Sequence, residues 1–293
     1  MKDPHHGSPA WAWCNGRLVA FSHATVPLED RGLQFGESLY DVMAVAGGEP
    51  FRLANHVDRM ARGARELGLD GAVPDVTAWR DIVAQLHRHE PHRSALLYSQ
   101  VTGGSAPRRH LPDPRPQPFF AAYLRPFVFP TPTELSQGIT VITLPDLRWA
   151  RCDLKTTMLL PAVLAKRAAA ERGAIEAIFL GQDGYVREGA SSSVFLVMAR
   201  SVSSPPHGSH ILPSVSSLVV RETCDELGVH FEERPLTLSD LQRADEVFIA
   251  STTTLLMPVV HVDRSPVGGG TPGPVALQLA YHFQRKFWGA VDP

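Results

Sequence analysis

The chain carries, between residues 30 and 42, the segment Asp30-Arg31-Gly32-Leu33-Gln34-Phe35-Gly36-Glu37-Ser38-Leu39-Tyr40-Asp41-Val42. A largely apolar run from Leu39 to Val45 continues this segment, and Gly47-Gly48 ends it. Such a run, closed by turn residues, predicts a β-strand over residues 39–45.

Strand-like and helical patterns alternate on both sides of this strand. Before it, Asn15-Gly16 separates two short apolar runs, which is the strongest short signal for a β-hairpin. After it, apolar residues recur at helical spacing from Val57 to Leu67, with Asn55 as the predicted N-cap and Gly68 near the end. The N-terminal half is completed by a predicted helix at residues 79–86 and predicted strands at residues 95–102 and 119–124.

The C-terminal half has the same mixed pattern. A helix is predicted over residues 158–172 with Gly173 as its stop, a hairpin around residues 175–187 and a terminal helix over residues 274–288. The other predicted elements are strands at residues 139–144, 194–198, 246–250 and 257–262 and a helix at residues 215–227. Because both halves mix strands, helices and hairpins, the predicted fold class is α+β.

Composition and charge exclude several classes of protein. The chain has 293 residues, 28 of them basic and 30 acidic, with a formal net charge of −2. Nucleic-acid binding needs a basic surplus, and a membrane span needs a longer apolar run than any in this sequence. Three cysteines without metal-ligand spacing, and a start without a signal-peptide pattern, predict a cytoplasmic enzyme without a metal site.

Lys155 is the first candidate for covalent chemistry. It follows Arg151-Cys152-Asp153-Leu154 at the start of an otherwise apolar helical segment. A lysine amine forms a Schiff base with a carbonyl when its surroundings keep part of it neutral. The alternative is a solvated lysine at a helix end, since most lysines lie at the surface.

Glu188 is the second candidate. It precedes Gly189 and the serines Ser191–Ser193, ahead of the apolar pair Val194-Phe195. A carboxylate at the entry to a buried strand can keep a ligand nitrogen protonated while serine hydroxyls bond nearby oxygens. The alternative is a solvated turn rich in serine and glycine.

Two groups of cationic residues suit an anionic ligand. Pro107-Arg108-Arg109-His110 lies in a loop between two predicted strands, and clustered cations on a loop suit a carboxylate or a phosphate. Arg59 lies on a predicted helix, off its apolar stripe, where it can reach an anion. The alternative in both cases is a solvated basic side chain.

Two turns rich in hydroxyl groups also suit a phosphate. Pro213-Ser214-Val215-Ser216-Ser217 opens a predicted helix, and helix N-termini bind phosphate through main-chain N–H groups and the helix dipole. Ser251-Thr252-Thr253-Thr254 follows a predicted strand. The alternative is simple capping of the neighbouring elements.

Taken in chain order, these segments resemble the sequence blocks of one family, the class IV aminotransferases, which are fold-type IV pyridoxal-phosphate enzymes. The opening segment at residues 30–42 resembles the first block. The family's later blocks are resembled by four further segments of this chain: His56-Val57-Asp58-Arg59-Met60, Arg151–Lys155, Glu188–Phe195 and Ala250–Thr253. The resemblance extends from about residue 13 to residue 288, nearly the whole chain.

The resemblance implies a two-domain architecture and a cofactor, pyridoxal 5′-phosphate. A smaller N-terminal α/β domain is expected over residues 1–125, a linker over 126–137, and a larger C-terminal domain with a mixed, barrel-like sheet and helices over 138–293. Lys155 is expected to hold the cofactor as an aldimine and to transfer the substrate proton, with pyridoxamine phosphate as the amino carrier. Glu188 is expected to keep the pyridine nitrogen protonated.

The same resemblance assigns the remaining site residues. Arg59, the N–H groups of Val215 and Ser216, and Thr252 are expected to bind the cofactor phosphate, and Leu212 to pack on the ring. Tyr40, Arg108 and His110 are expected to bind the substrate α-carboxylate. The loop with Arg108 and His110 is expected to come from the neighbouring subunit of a homodimer.

The Arg-x-His sequence at Arg108 and His110 is similar to that of the D-amino-acid-specific members of the family, as are Tyr98 and Arg148-Trp149. It predicts a transaminase that moves an amino group from a D-amino acid, of the D-alanine or D-glutamate type, to a 2-oxo acid. The alternatives are a branched-chain L-amino-acid or (R)-amine transaminase of the same fold. More distant alternatives are an aminodeoxychorismate lyase and a cofactor-binding protein without transaminase activity.

Several residues depart from the family's pattern. Ser193 stands where asparagine is common, and Ser214-Val215-Ser216-Ser217, after Pro213, stands where Gly-Ile-Thr-Arg is common. Gly103 and Ser99 stand where the D-amino-acid enzymes have arginine and phenylalanine. We expect these departures to affect pocket size and substrate range more than reaction type.

Overall fold

The computed structural model of the chain describes residues 7–112 and 114–289. The chain divides into two compact units. Unit 1 holds the described residues of Met1–Val128 together with Leu154–Met158, and unit 2 holds Phe129–Asp153 and Leu159–Gly289. Both units combine helices with a sheet, which confirms the α+β prediction. The outer ends of the predicted domains, residues 1–6 and 290–293, lie outside the described residues.

Unit 1 is built on an antiparallel sheet with the strand order β2-β1-β6-β5-β3-β4. Its strands are β1 Trp11–Cys14, β2 Arg17–Ala20, β3 Ser38–Ala46, β4 Glu49–Pro50, β5 Ser94–Thr102 and β6 Phe119–Pro126. Its helices are α1 Arg31–Phe35, α2 Leu53–Glu66 and α3 Val76–His89, with a 3-10 turn at Phe21–His23. The predicted strand at 39–45 is therefore confirmed as β3, which lies between β5 and the short β4.

Local sequence signals explain most of the element ends in unit 1. Asn15 and Gly16 have φ of 41° and 85°, as a two-residue hairpin turn requires, so the predicted hairpin is confirmed. The prediction of Asn55 as an N-cap is wrong. Helix α2 begins at Leu53, its N-cap is Arg52 with φ of 59°, and no side chain caps it. The buried Leu53 extends the apolar face of the helix by one turn, which places Asn55 inside it.

Unit 2 is built on a mixed sheet with the strand order β12-β11-β10-β13-β14-β7-β8-β9, and β15 pairs with β14. Its strands are β7 Ile139–Pro145, β8 Glu176–Leu180, β9 Val186–Gly189, β10 Ser193–Met198, β11 Ser201–Ser204, β12 Phe231–Glu233, β13 Glu246–Ser251, β14 Leu255–Val262 and β15 Ser265–Pro266. Its helices are α4 Pro132–Gln137, α5 Leu160–Glu171, α6 Val215–Leu227, α7 Leu238–Arg243 and α8 Pro274–Trp288. Strand β7 pairs in parallel with both β14 and β8, and β10 and β13 pair antiparallel.

The helix ends of unit 2 follow glycine and capping signals. Gly228, with φ of 66°, caps α6, and Gly173, with φ of 71°, follows α5, as predicted. The segment predicted as a linker contains α4, which a capping box between Thr131 and Glu134 begins. Within the described ranges, no helix is both long and apolar enough to cross a membrane.

Candidate active site

Lys155 lies beside Tyr40 in unit 1. The main-chain N–H of Tyr40 donates to the Lys155 oxygen at 3.0 Å, so the segment around Lys155 pairs with the first residues of β3. The Lys155 Nζ lies 3.3 Å from the Tyr40 Oη and 4.5 Å from the centroid of its ring. The amine is half-buried and makes no ion pair with any residue that the structure describes. Its position fits an amine that condenses with the carbonyl of a ligand.

A buried ionic cluster of Asp41, His56 and Arg59 lies in the same unit. The Arg59 Nη2 donates to the Asp41 Oδ1 at 2.8 Å, and the His56 Nδ1 lies 2.8 Å from the same oxygen. Burial would raise the pKa of Asp41, but the charge of Arg59 and the hydrogen bond with His56 hold it well below its ordinary value. Burial lowers the pKa of His56 despite the attraction of Asp41, so His56 is neutral at pH 7. Asp41 therefore fixes the orientation of Arg59, the proposed phosphate ligand.

Sequence reasoning assigned no role to Asp41 or His56. Their positions carried a usable signal, since His56 and Arg59 are three residues apart on α2 and share one helix face. The pairing of that face with Asp41 of β3 depends on tertiary packing, which the sequence pattern does not specify.

The loop with Arg108 and His110 is held against α1. The Arg108 guanidinium carbon lies 5.2 Å from the centroid of the Phe35 ring, and the His110 ring lies 5.4 Å from it. Both residues are exposed in the single chain. Within the described residues of one chain, no hydrogen bond, ion pair or ring contact joins Tyr40 to Arg108 or His110.

The departures at Gly103 and Ser99 have different surroundings. A Cβ on Gly103 would come 2.9 Å from the carboxyl carbon of Glu37, so the Glu37 side chain occupies the space beside this glycine. Ser99 is buried, and its hydroxyl donates to the main-chain oxygen of Asp41 at 3.3 Å. Ser99 is therefore part of the sheet's interior, beneath Asp41.

Glu188 lies in unit 2 in contact with Arg148 and Leu212. Glu188 is 7% exposed. Its carboxylate pairs with the Arg148 Nη1 and accepts the Leu212 N–H at 3.2 Å. Arg148 also pairs with Asp146 through its Nη2 at 2.8 Å, and its guanidinium carbon lies 4.7 Å above the Phe179 ring. Burial opposes the charge of Arg148, but Asp146 and Glu188 raise its pKa, so the guanidinium is permanently charged. A carboxylate paired with this cation suits a protonated ring nitrogen.

The serines after Glu188 serve mainly a second carboxylate. Glu176 is buried and accepts the hydroxyl of Ser191 at 2.7 Å and that of Ser192 at 3.1 Å. In the described chain, both hydroxyl groups thus donate to Glu176. A Cβ on Gly189 would clash with the Ser192 Oγ, so this tight turn requires glycine. Ser193 belongs to β10, opposite Ala250 of β13.

The two hydroxyl-rich turns of unit 2 offer groups for a phosphate. The Ser214 Oγ accepts the Ser217 N–H at 3.2 Å, and the N–H groups of Val215 and Ser216 lie in the first turn of α6, ahead of any intrahelical acceptor. Helix α6 packs on β13, which ends at Ser251. The Ser251 Oγ accepts the Thr254 N–H at 3.1 Å and so closes the turn that contains Thr252.

Pyridoxal phosphate fits the groups in each unit. Unit 1 supplies the half-buried amine of Lys155, which makes no ion pair with any described residue, together with Arg59. Unit 2 supplies a buried carboxylate for the ring nitrogen, and a helix N-terminus whose first N–H groups suit a phosphate. In unit 2, Glu188 and Leu212 are in contact, and Val215, Ser216 and Thr252 lie at the two turns. Arg148 is a further site residue to which sequence reasoning gave no role, although its resemblance to the D-amino-acid enzymes was a signal.

Comparison with known proteins identifies the family of the chain. The family model described as amino-transferase class IV matches residues 38–262. A D-alanine aminotransferase of Bacillus licheniformis is 38% identical over 93% of this chain and 95% of its own length. A D-alanine aminotransferase of Staphylococcus aureus (strain MSSA476) is 32% identical over 92% of this chain and 95% of its own.

The fold agrees with the same family. A branched-chain amino acid aminotransferase of T.th., solved with pyridoxamine 5′-phosphate, superposes with a TM-score of 0.87. It is 25% identical and covers 95% of this chain and 94% of its own. The predicted fold-type IV architecture is thus confirmed. The chain belongs to the class IV aminotransferases, a family of pyridoxal-phosphate enzymes.

Proposed function

We propose that this chain is a D-amino-acid transaminase, which transfers the amino group of a D-amino acid of the D-alanine or D-glutamate type to a 2-oxo acid. The observation that carries the proposal is the loop of Arg108 and His110, whose side chains both contact the Phe35 ring. The relatives named D-alanine aminotransferase, which align over 95% of their length, support it.

The residues of this chain divide the work of the reaction. When bound, pyridoxal phosphate supplies the carbonyl that takes up the amino group and a ring that withdraws electrons from the substrate Cα. Lys155 Nζ would remove the proton from the substrate Cα as a base and, as an acid, deliver it to the cofactor carbon that receives the amino group; the second half of the reaction would run this transfer in reverse on the 2-oxo acid. Tyr40, 3.3 Å from this nitrogen, orients it.

Other residues bind and orient the cofactor. Glu188, whose carboxylate is buried and paired with Arg148, would face the ring nitrogen and favour its protonated form. Leu212 would pack on the ring. Arg59, the Val215 and Ser216 N–H groups and Thr252 would hold the phosphate.

The carboxylate-binding residues act across a homodimer in this proposal. A trap for a carboxylate needs exclusion of water to be strong, yet Arg108 and His110 are exposed in the single chain. Leu33 of α1 is 61% exposed and Leu111, next to His110, is 85% exposed. A second copy of the chain that covers these leucines would exclude water from the two cationic side chains and complete the site.

The remaining expectations stay proposals. We propose a small domain over residues 1–125, a linker over residues 126–137 and a large domain over residues 138–293. We also propose a cytoplasmic location, which the three cysteines without a disulfide, Cys14, Cys152 and Cys224, support.

A panel of amino donors tests the proposed function. D-alanine, L-leucine and (R)-1-phenylethylamine are each assayed with pyruvate or 2-oxoglutarate as acceptor. We expect kcat/KM for D-alanine to exceed that for L-leucine by about 100-fold or more, since the wrong enantiomer misplaces its carboxylate. Preference for L-leucine would instead support a branched-chain transaminase, the activity for which the structural neighbour of T.th. is named. A preference for (R)-1-phenylethylamine, which has no carboxylate, would reject the proposed binding of a substrate carboxylate by Arg108 and His110.

A further inference from the structure

We propose that Arg31 is the positioning residue of the carboxylate-binding loop, residues 105–110, and that it sets where Arg108 and His110 stand without contacting the substrate. This inference rests on the proposed function, in which Arg108 and His110 bind the substrate carboxylate.

Arg31 holds the loop by its main chain. Its side chain is almost completely buried, at 7% exposure. The Nη1 donates to the main-chain oxygen of Arg109 at 2.7 Å, and the Nη2 donates to that of His110 at 3.0 Å. The Nε pairs with the carboxylate of Glu37. One planar guanidinium therefore joins two successive peptide oxygens of the loop to a fixed carboxylate.

The helix that carries Arg31 is itself firmly placed. The Asp30 carboxylate caps α1 by accepting the Gly32 N–H at 2.8 Å, and it also accepts the hydroxyl of Thr102, at the end of β5, at 2.7 Å. The Arg31 N–H donates to the Gly104 oxygen at 2.8 Å. Helix α1 is thus attached to the strand from which the loop leaves.

A second contact lies on the same face of α1. Phe35 follows Arg31 by four residues, so both side chains point the same way on the helix. The Phe35 ring contacts Arg108 and His110, while Arg31 holds the peptide groups between and after them. One short helix, α1, therefore contacts both the main chain and the side chains of the loop.

The consequence concerns affinity for the carboxylate rather than the chemical step. Arg108 and His110 are exposed, and the other main-chain contacts of the loop lie at its start, where Ser105 pairs with Asp30 and the Ala106 N–H donates to the Glu29 oxygen at 3.4 Å. Without Arg31 the loop would lose two charge-assisted hydrogen bonds and would have to be ordered when substrate binds. Proton transfer takes place at Lys155, which Arg31 does not contact.

Two substitutions at Arg31 test the inference. Arg31→Gln removes the charge, and Arg31→Lys keeps the charge next to Glu37 but cannot reproduce the planar fork. We expect either variant to raise KM for D-alanine, and the inhibition constant of propanoate, by about tenfold or more, with kcat changed by less than about threefold. Hydrogen exchange should become faster at the main-chain amides of Ala106 and residues 108–111 and stay unchanged in β5.

Two controls separate the outcomes. Asp75→Ala removes the N-cap of α3, where the Asp75 carboxylate accepts the Ala78 N–H, and so destabilises the same unit without touching the loop. We expect it to leave KM and the propanoate constant unchanged. Arg108→Ala calibrates the trap itself. Raised KM in Arg108→Ala with normal KM and normal exchange in both Arg31 variants would overturn the role of Arg31. Normal KM in Arg108→Ala would overturn the proposed function, and this inference with it.

Discussion

Lys155 is the residue on which the proposed reaction depends, and its surroundings make that dependence testable. Lys155→Ala should lose the visible absorbance of bound cofactor and all transamination, because the amine beside Tyr40 is the proposed attachment point and proton carrier. The measurements are the absorbance spectrum after cofactor addition and the rate with D-alanine. Lys166→Ala is the matched control, since the Lys166 Nζ donates to the Ile175 oxygen at the surface. Transamination retained in Lys155→Ala would disprove the mechanism.

His56 should make the stability of the protein depend on pH. Its pKa is lowered by burial, so below its ordinary value of 6.5 the unfolded chain binds a proton that the folded chain does not. The free energy of unfolding should therefore fall as pH drops below about 6.5, by at most about 1.4 kcal/mol per pH unit from this residue. Urea denaturation of the wild type and of His56→Gln between about pH 5 and pH 7.5 measures the difference in slope.

His89 offers the control for this prediction. It is exposed at the end of α3, with its Nδ1 2.9 Å from the Gln85 oxygen. His89→Gln should keep the wild-type slope. Equal slopes for the wild type and His56→Gln would show that burial of His56 does not depress its proton affinity.

At the residue scale, the residues that can do chemistry are easier to predict from the sequence than the residues that support them. Lys155 and Glu188 stand out as polar residues in apolar surroundings. Asp41, His56 and Arg148 do not, since their importance lies in partners on other elements, such as the Asp41 of β3 that meets the Arg59 of α2. Those partners are set by tertiary packing.

At the element scale, the start of α6 links folding to cofactor binding. Ser214→Ala removes the acceptor of the Ser217 N–H and should cost about 1 kcal/mol of stability. It should also weaken cofactor binding severalfold, since the frayed turn carries the Val215 and Ser216 N–H groups. Chemical denaturation of the apoprotein and a spectral titration with pyridoxal phosphate measure the two effects.

Thr237→Ala provides the comparison, because the Thr237 Oγ1 likewise accepts the Asp240 N–H at the start of α7. It should lower stability by a similar amount while the affinity for the cofactor stays unchanged. If both variants weaken cofactor binding equally, the effect is one of general stability and the first turn of α6 has no special part in it.

Element ends were predictable where glycine or a capping residue marks them. The terminal helix Pro274–Trp288 and the stops at Gly173 and Gly228 follow such marks. The start of α2 was missed because its N-cap, Arg52, has no capping side chain. Helix α4 was missed although Thr131 and Glu134 form a capping box, because the surrounding prolines favoured an irregular segment.

At the scale of the whole molecule, mixed dimers test where the carboxylate trap belongs. Arg108→Ala chains and Lys155→Ala chains are unfolded together and refolded as a mixture. If the loop acts across the interface, each hybrid dimer has one complete site, and about a quarter of the wild-type activity should return. If the loop acts within its own chain, no hybrid site is complete, and the activity stays at the level of the separate variants.

The path of the chain through the two sheets was beyond reach of the sequence. In unit 1, Trp13 of β1 pairs with Ala122 of β6, more than a hundred residues later in the chain. In unit 2, β7 lies in parallel between β14 and β8. Such pairings depend on long-range packing and leave no local pattern, so the sequence predicted the fold class while the family resemblance supplied the architecture.

Arg31 recognises peptide oxygens, and this has a consequence for how the enzyme could change its donor. Its bonds reach the main chain of Arg109 and His110 and leave their side chains out. The part of the hold that Arg31 supplies is thus independent of which side chains the loop contains. New side chains at positions 108–110 would be displayed on a backbone that keeps its course, so this loop is a site where donor selectivity can be redesigned, or can drift between relatives, separately from the machinery around Lys155.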